Sequence, residues 1–227
     1  MEKKVVYLVI LILVTAGLVF WSIPLTLFAP KKAPTTLPTT APDTNNKLTN
    51  ITMEQKILMV VAFKNFRDEE YFIPKEILEK AGFFIDTTST QKGIATGTDG
   101  GQAVVHVGLD EINLQNYEAV VFCGGPGMAE ELDNPDFHKL AKDFYQSGKP
   151  VAAICVAPAL LAKAGILKDK KATVWSSALD KSLIKILENN GAIYEESPVV
   201  VDKTIITANG PAAAKEFGKA IKELLSN

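Results

Sequence analysis

Apolar residues along this chain come in short unbroken runs separated by amphipathic stretches, a pattern that fits strands buried on both faces alternating with helices. Residues 56–62, Lys-Ile-Leu-Met-Val-Val-Ala, make the first such run and open the folded region. A polar loop follows, and then helical spacing over 73–81, with Pro74 in the first turn and Gly82 as the stop. Further strands are predicted over 83–89, 103–107 (with His106 inside it), 117–123, 151–154 and 172–175, with a strand pair at 199–202 and 204–207. Helices are predicted over 135–147, 159–164, 182–190 and, strongly amphipathic, 212–225. Strands alternating with helices imply an α/β fold with a doubly wound, mostly parallel sheet covered by helices.

In such a sheet the crevice lies beyond the carboxyl ends of the strands. Three features fall there by topology: the loop after Ala62, the loop Gly124-Gly125-Pro126-Gly127, and the turn at Cys155. Cys155 sits where a buried strand turns abruptly into a helix, flanked two residues away on each side by Ala153 and Ala157. A tight strand-to-helix turn needs small side chains at those positions, and it is a place for a nucleophile. The following helix start favours thiolate, so a lowered thiol pKa is expected. The competing reading is a small buried hydrophobe, the commoner fate of a free cysteine. The glycine loop lacks the third glycine of a dinucleotide fingerprint, and Pro126 removes a donor, so its bare backbone suits an oxyanion hole or a simple tight turn.

Asp68-Glu69-Glu70 follows the first strand, so one carboxyl could reach the crevice, although a run of three acids is more often a solvated loop. A carboxyl meeting Cys155 away from water would have a raised pKa and could serve as general acid–base. His106 and His138 read as structural, and no spacing suggests a metal site. Cys123 and Cys155 are the only cysteines, which leaves a disulfide or redox pair open.

The first fifty residues differ in kind. Residues 5–29 carry no charge and are long enough to span a bilayer, preceded by a short N-terminus, 1–4, with Lys3 and Lys4. They predict a single-pass anchor, or an uncleaved signal, with the main domain outside the cytoplasm. Residues 30–53, rich in Pro, Thr and Asn, read as a tether, which leaves 54–227 as the folded domain. Overall the 227 residues are 47% hydrophobic with a net charge of -2, which argues against disorder and against the basic field that nucleic acid needs. Arg67 is the only arginine, so bidentate recognition of anions is sparsely provided.

Four motifs together carry a resemblance: Phe66-Arg67-Asp68-Glu69-Glu70-Tyr71-Phe72-Ile73-Pro74, Cys123-Gly124-Gly125-Pro126-Gly127, Ala153-Ile154-Cys155-Val156-Ala157-Pro158 and Asn209-Gly210-Pro211-Ala212. In order and spacing they resemble the ThiJ/PfpI superfamily, also called DJ-one/PfpI, over about residues 56–225. The resemblance implies a flavodoxin-like sandwich, commonly a homodimer, with Cys155 as the elbow cysteine and Glu70 as the glutamate four residues before the proline. It maps oxyanion donors to the backbone N–H groups of Gly125 and Val156, and it implies no metal or other cofactor. Members include enzymes acting on glyoxals and related carbonyls, peptidases, oxidative-stress sensors and holding chaperones.

Two departures narrow the choice. The peptidase-like branch has a histidine directly after the cysteine, where this chain has Val156, and a histidine some members carry after the next strand is replaced by Trp175-Ser176-Ser177. Cys123 stands where many relatives have proline. The leading expectation is a membrane-anchored glyoxalase or deglycase-type enzyme. It would act on small reactive carbonyls or carbonyl-modified protein, with Cys155 as nucleophile and Glu70 as general acid–base. A redox sensor or chaperone with an oxidisable Cys155 is the rival, and a cysteine peptidase is third.

Overall fold

In the computed structural model, which describes residues 55–226, the first apolar run forms β1 (Lys56–Val60). It is followed by β2 (Lys64–Phe66), α1 (Asp68–Lys80), β3 (Phe84–Thr88), β4 (Gly93–Gly97), β5 (Gln102–Val105) and β6 (Tyr117–Phe122). Then come α2 (Pro126–Glu130), α3 (Pro135–Gln146), β7 (Val151–Ile154), α4 (Ala157–Lys163), β8 (Lys171–Ala172), α5 (Ser182–Asn189) and β9 (Ile193–Tyr194). The chain closes with β10 (Val199–Asp202), β11 (Ile205–Ala208) and α6 (Ala214–Ser226).

The main sheet has the order β10-β11-β7-β6-β1-β3. All neighbours pair in parallel except β10, which returns antiparallel to β11. Numbered along the chain, the five parallel strands give the flavodoxin order 2-1-3-4-5, with its switch point between β1 and β6. Period-two alternation divides the apolar runs between two helical layers. Leu58, Val60, Val120, Phe122 and Ala153 face Phe137 and Phe144 of α3 and Leu160 of α4. Ile57, Met59, Val121, Ala152 and Ile154 face Tyr71 and Leu78 of α1 and Phe217 and Ile221 of α6. Burial on both faces is why these strands read as continuous hydrophobic runs.

Four differences from the sequence reading have physical causes. Helix α1 begins at Asp68, not residue 73, because three acids in a first turn suit the positive end of the helix dipole. Pro74 is therefore interior, and the bond it cannot donate is the one to the Glu70 carbonyl. A second sheet, β2-β4-β5, flanks the crevice; the strand predicted over 103–107 is its β5, whereas β2 and β4 are half exposed and partly polar, so they carry no apolar run. His106 lies one residue past β5, exposed, with Nε2 2.8 Å from Asp86 Oδ1.

The expected N-terminus 1–4, span 5–29 and tether 30–53 lie outside the described residues. Among the described residues no helix is long and apolar enough to cross a membrane. The longest, α1 and α6, have 13 residues each, about 20 Å against a hydrocarbon core of about 30 Å. The single-pass, extracytoplasmic placement is corrected accordingly.

Candidate active site

Cys155 follows the last residue of β7 and has φ of 65°, in the left-handed region that ordinary side chains avoid. Both of its backbone groups are held: its N–H donates to the Ala208 carbonyl at 2.8 Å, and its carbonyl accepts from the Trp175 N–H at 2.8 Å. Those bonds keep a conformation that costs on the order of 1–2 kcal/mol. Ala153 and Ala157 are fully buried, as small residues flanking a tight turn should be. Only 7% of Cys155 is exposed.

The three acids separate once helix α1 winds. Asp68 turns to the β4–β5 connection, accepting from the N–H groups of Asp99 at 2.8 Å and Gly101 at 2.7 Å. Glu69 is exposed, whereas Glu70 is wholly buried beside Cys155. The Gly124 N–H donates to Glu70 Oε2 at 3.0 Å, while Oε1 has no partner in hydrogen-bonding geometry. A Cβ on Gly124 would come within 2.6 Å of Oε2 and 2.7 Å of the Cys155 Cβ, so bare backbone is what lets carboxyl and thiol share one floor. Gly125, with φ of 108°, turns so that its N–H meets the sulfur, and the Val156 N–H does the same. Adjacent glycines thus serve the two groups separately, Gly124 the carboxyl and Gly125 the thiol.

Burial raises the Glu70 pKa to about 7. Hydrogen bonding to Cys155 and Gly124 and the charge of Arg67 pull it down without overcoming that cost. Burial likewise pushes the Cys155 thiol up, reinforced by the Glu70 carboxylate and opposed by the N–H groups of Gly125 and Val156. The lowered thiol pKa expected from the helix start is therefore corrected, because desolvation and a neighbouring anion outweigh the dipole of a seven-residue helix. The two groups form a coupled pair: two adjacent buried negative charges repel, so a thiolate requires the proton to reside on Glu70.

Cys123 and Cys155 are both free thiols. Cys123 is fully buried on the α1/α6 side of the sheet near Glu70, and burial holds its thiol well above the usual range. Of the two histidines, His106 is held by Asp86, and His138 Nε2 lies 2.8 Å from the Leu132 carbonyl. Neither acts on the thiol. Among the described residues no group of His, Cys, Asp and Glu is placed to hold a metal. A cavity of about 770 Å³ opens between the loop after β3 and α3, and neither Cys155 nor Glu70 lines it.

Three site residues escaped the sequence reading. Trp175 and Ala208 act through backbone atoms that no local pattern marks. Arg67 was noted only for its rarity, yet its backbone N–H donates to the Gly124 carbonyl at 3.1 Å and its charge is felt at Glu70. Its position three residues before Glu70 was the available signal.

Residues 55–224 match the model of the DJ-1/PfpI family. An uncharacterized protein of Methanocaldococcus jannaschii is 43% identical over 177 residues, covering 78% of this chain and 84% of that protein. The protein named deglycase PfpI of Pyrococcus furiosus is 32% identical over 171 residues, 74% of this chain and 99% of the relative. Among solved structures, a ThiJ/PfpI domain protein from Brachyspira murdochii superposes with a TM-score of 0.72 at 34% identity, covering 75% of this chain and 96% of that one.

Proposed function

This chain belongs to the DJ-1/PfpI family, and we propose that it is a cysteine-dependent enzyme of the glyoxalase or deglycase type, acting on reactive carbonyl compounds. One observation carries the reading: a buried carboxyl with a pKa raised to about 7 lies against a thiol that two backbone N–H groups already face. A group that titrates near neutrality can both take and return a proton during turnover.

Cys155 Sγ adds to the aldehyde carbon as its proton passes to Glu70. The carbonyl oxygen gains charge, is held by the Gly125 and Val156 N–H groups, and then takes that proton back, giving a hemithioacetal. For a 2-oxoaldehyde, Glu70 removes the C–H proton and returns it at the adjacent carbon while the hydroxyl proton passes from the first oxygen to the second, leaving a thioester of the 2-hydroxy acid. Water hydrolyses the thioester, releasing the acid and restoring the thiol. The name deglycase carried by the Pyrococcus relative supports the same carbonyl chemistry. A Cys-His peptidase mechanism lacks its base, because Val156 and the stretch Trp175-Ser176-Ser177 stand where some family members carry histidine and both histidines of this chain are engaged elsewhere.

Lactate formation from methylglyoxal tests the reading. Wild type should turn over and Cys155→Ser should not; equal null rates at high enzyme concentration would sink the proposal. The oxidation-sensor reading is favoured by one detail, a buried and unpartnered Oε1 on the Glu70 carboxyl that meets Cys155, which could hydrogen-bond a sulfinate. Selective addition of two oxygens at Cys155 under mild peroxide, without turnover of any carbonyl, would establish it instead.

A further inference from the structure

We propose that Arg67 reads a negative charge on the substrate, so that this site prefers reactive carbonyls bearing a carboxylate near the reacting carbon. The inference rests on the carbonyl-enzyme reading and adds a substrate class to it. Arg67 is the sole arginine in a chain with 24 basic residues. Its backbone is fixed at the site: a Cβ on Gly125, whose N–H meets the sulfur, would lie 2.4 Å from the Arg67 nitrogen. The guanidinium is one-third exposed, and its acidic partner, Asp99 Oδ2, stands 3.7 Å from Nη1, beyond hydrogen-bonding distance. Asp99 is itself 58% exposed, so this pair is weak and open to exchange. Asp68 fixes the turn that carries Asp99 through the Asp99 and Gly101 N–H groups, which keeps the competitor in place without tightening its grip. A planar guanidinium that is loosely held and whose charge is felt at Glu70 matches an incoming carboxylate through two parallel N–H bonds.

The test separates recognition from turnover. Cys155 in the full-length protein is alkylated with iodoacetate and with iodoacetamide, with the labelled residue located by mass spectrometry and glutathione as the reference thiol. The wild-type preference for iodoacetate should exceed that of glutathione by about tenfold, the worth of one charge-assisted contact at a partly exposed guanidinium. Arg67→Gln should lose the preference, and Arg67→Lys should keep part of it. Asp99→Asn, by freeing the guanidinium, should raise it, a gain that misfolding cannot mimic. A wild-type ratio no higher than glutathione, or one unmoved in Arg67→Gln, overturns the inference. In steady state, Arg67→Gln should lower kcat/KM for 4,5-dioxopentanoate, a 2-oxoaldehyde that bears a carboxylate, more than for methylglyoxal. If wild type turns over neither, the enzyme reading fails, while the labelling ratio still decides the role of Arg67.

Discussion

Glu70 is the third residue of a helix whose dipole favours its ionised form, yet its carboxyl titrates near 7. The dipole supplies about 0.3–1 kcal/mol, less than one pKa unit, whereas full burial shifts a carboxyl by several units. Desolvation therefore decides the chemistry. Replacing Glu70 with Gln keeps the shape and removes the proton carrier, so kcat/KM for methylglyoxal should fall about 10²- to 10⁴-fold, and the part of the pH–rate profile that titrates near 7 should vanish. A rate within threefold of wild type would show that the carboxyl is a bystander. The sequence alone made Cys155 legible, because the spacing of Ala153 and Ala157 is a local requirement of the turn. It left Asp68, Glu69 and Glu70 equivalent, and only the resemblance singled out Glu70. Consecutive helical residues point about 100° apart, so one acid ties the β4–β5 turn, one meets solvent and one enters the core.

The strands of the main sheet were readable to within a residue or two, since burial on both faces imposes unbroken apolar runs. What failed was the edge of the crevice. Of its three strands only β5 is predicted, over 103–107; in β4, exposed Ile94 and Thr96 alternate with buried Ala95, and Gly93 and Gly97 weaken the pattern further. The start of α1 was missed for a related reason, as its first turn is polar and Pro74 looked like an opening residue. The layer opposite α3 is closed by α1 lying on α6, and their contact depends on Gly218. A Cβ there would fall 3.0 Å from the Pro74 Cα and 3.0 Å from Ile77 Cδ1. Gly218→Ala gains about 1 kcal/mol of helix propensity, but overpacking costs about 1–3 kcal/mol. Pro74 presents backbone, which cannot rotate away, so a net loss of about 1 kcal/mol is expected in urea unfolding. A stabilised variant would mean that the two helices part easily, and with them the support under Glu70.

At the scale of the whole molecule, the 2-1-3-4-5 strand order delivers the ends of β1, β6 and β7 to one crevice, and α1 delivers Glu70 into it. The alternation of elements made that convergence legible; the cost of assembling the site was not, because it arises only when the parts meet. The folded state binds the Glu70 proton more tightly than the unfolded chain, with a pKa of about 7 against an ordinary value of 4.5. Folding therefore takes up a proton between those values. The stability tied to that proton is fully present below about pH 4.5 and is lost as pH rises through about 7, on the order of 3 kcal/mol in all. Glu70→Gln has no proton to lose. In urea unfolding at a series of pH values it should match wild type near pH 4.5 and exceed it by up to about 3 kcal/mol at pH 8, even as its activity collapses. Parallel stability curves for the two proteins would mean that the buried carboxyl finds compensation in the folded state, and the proton relay assigned to it would lose its physical basis.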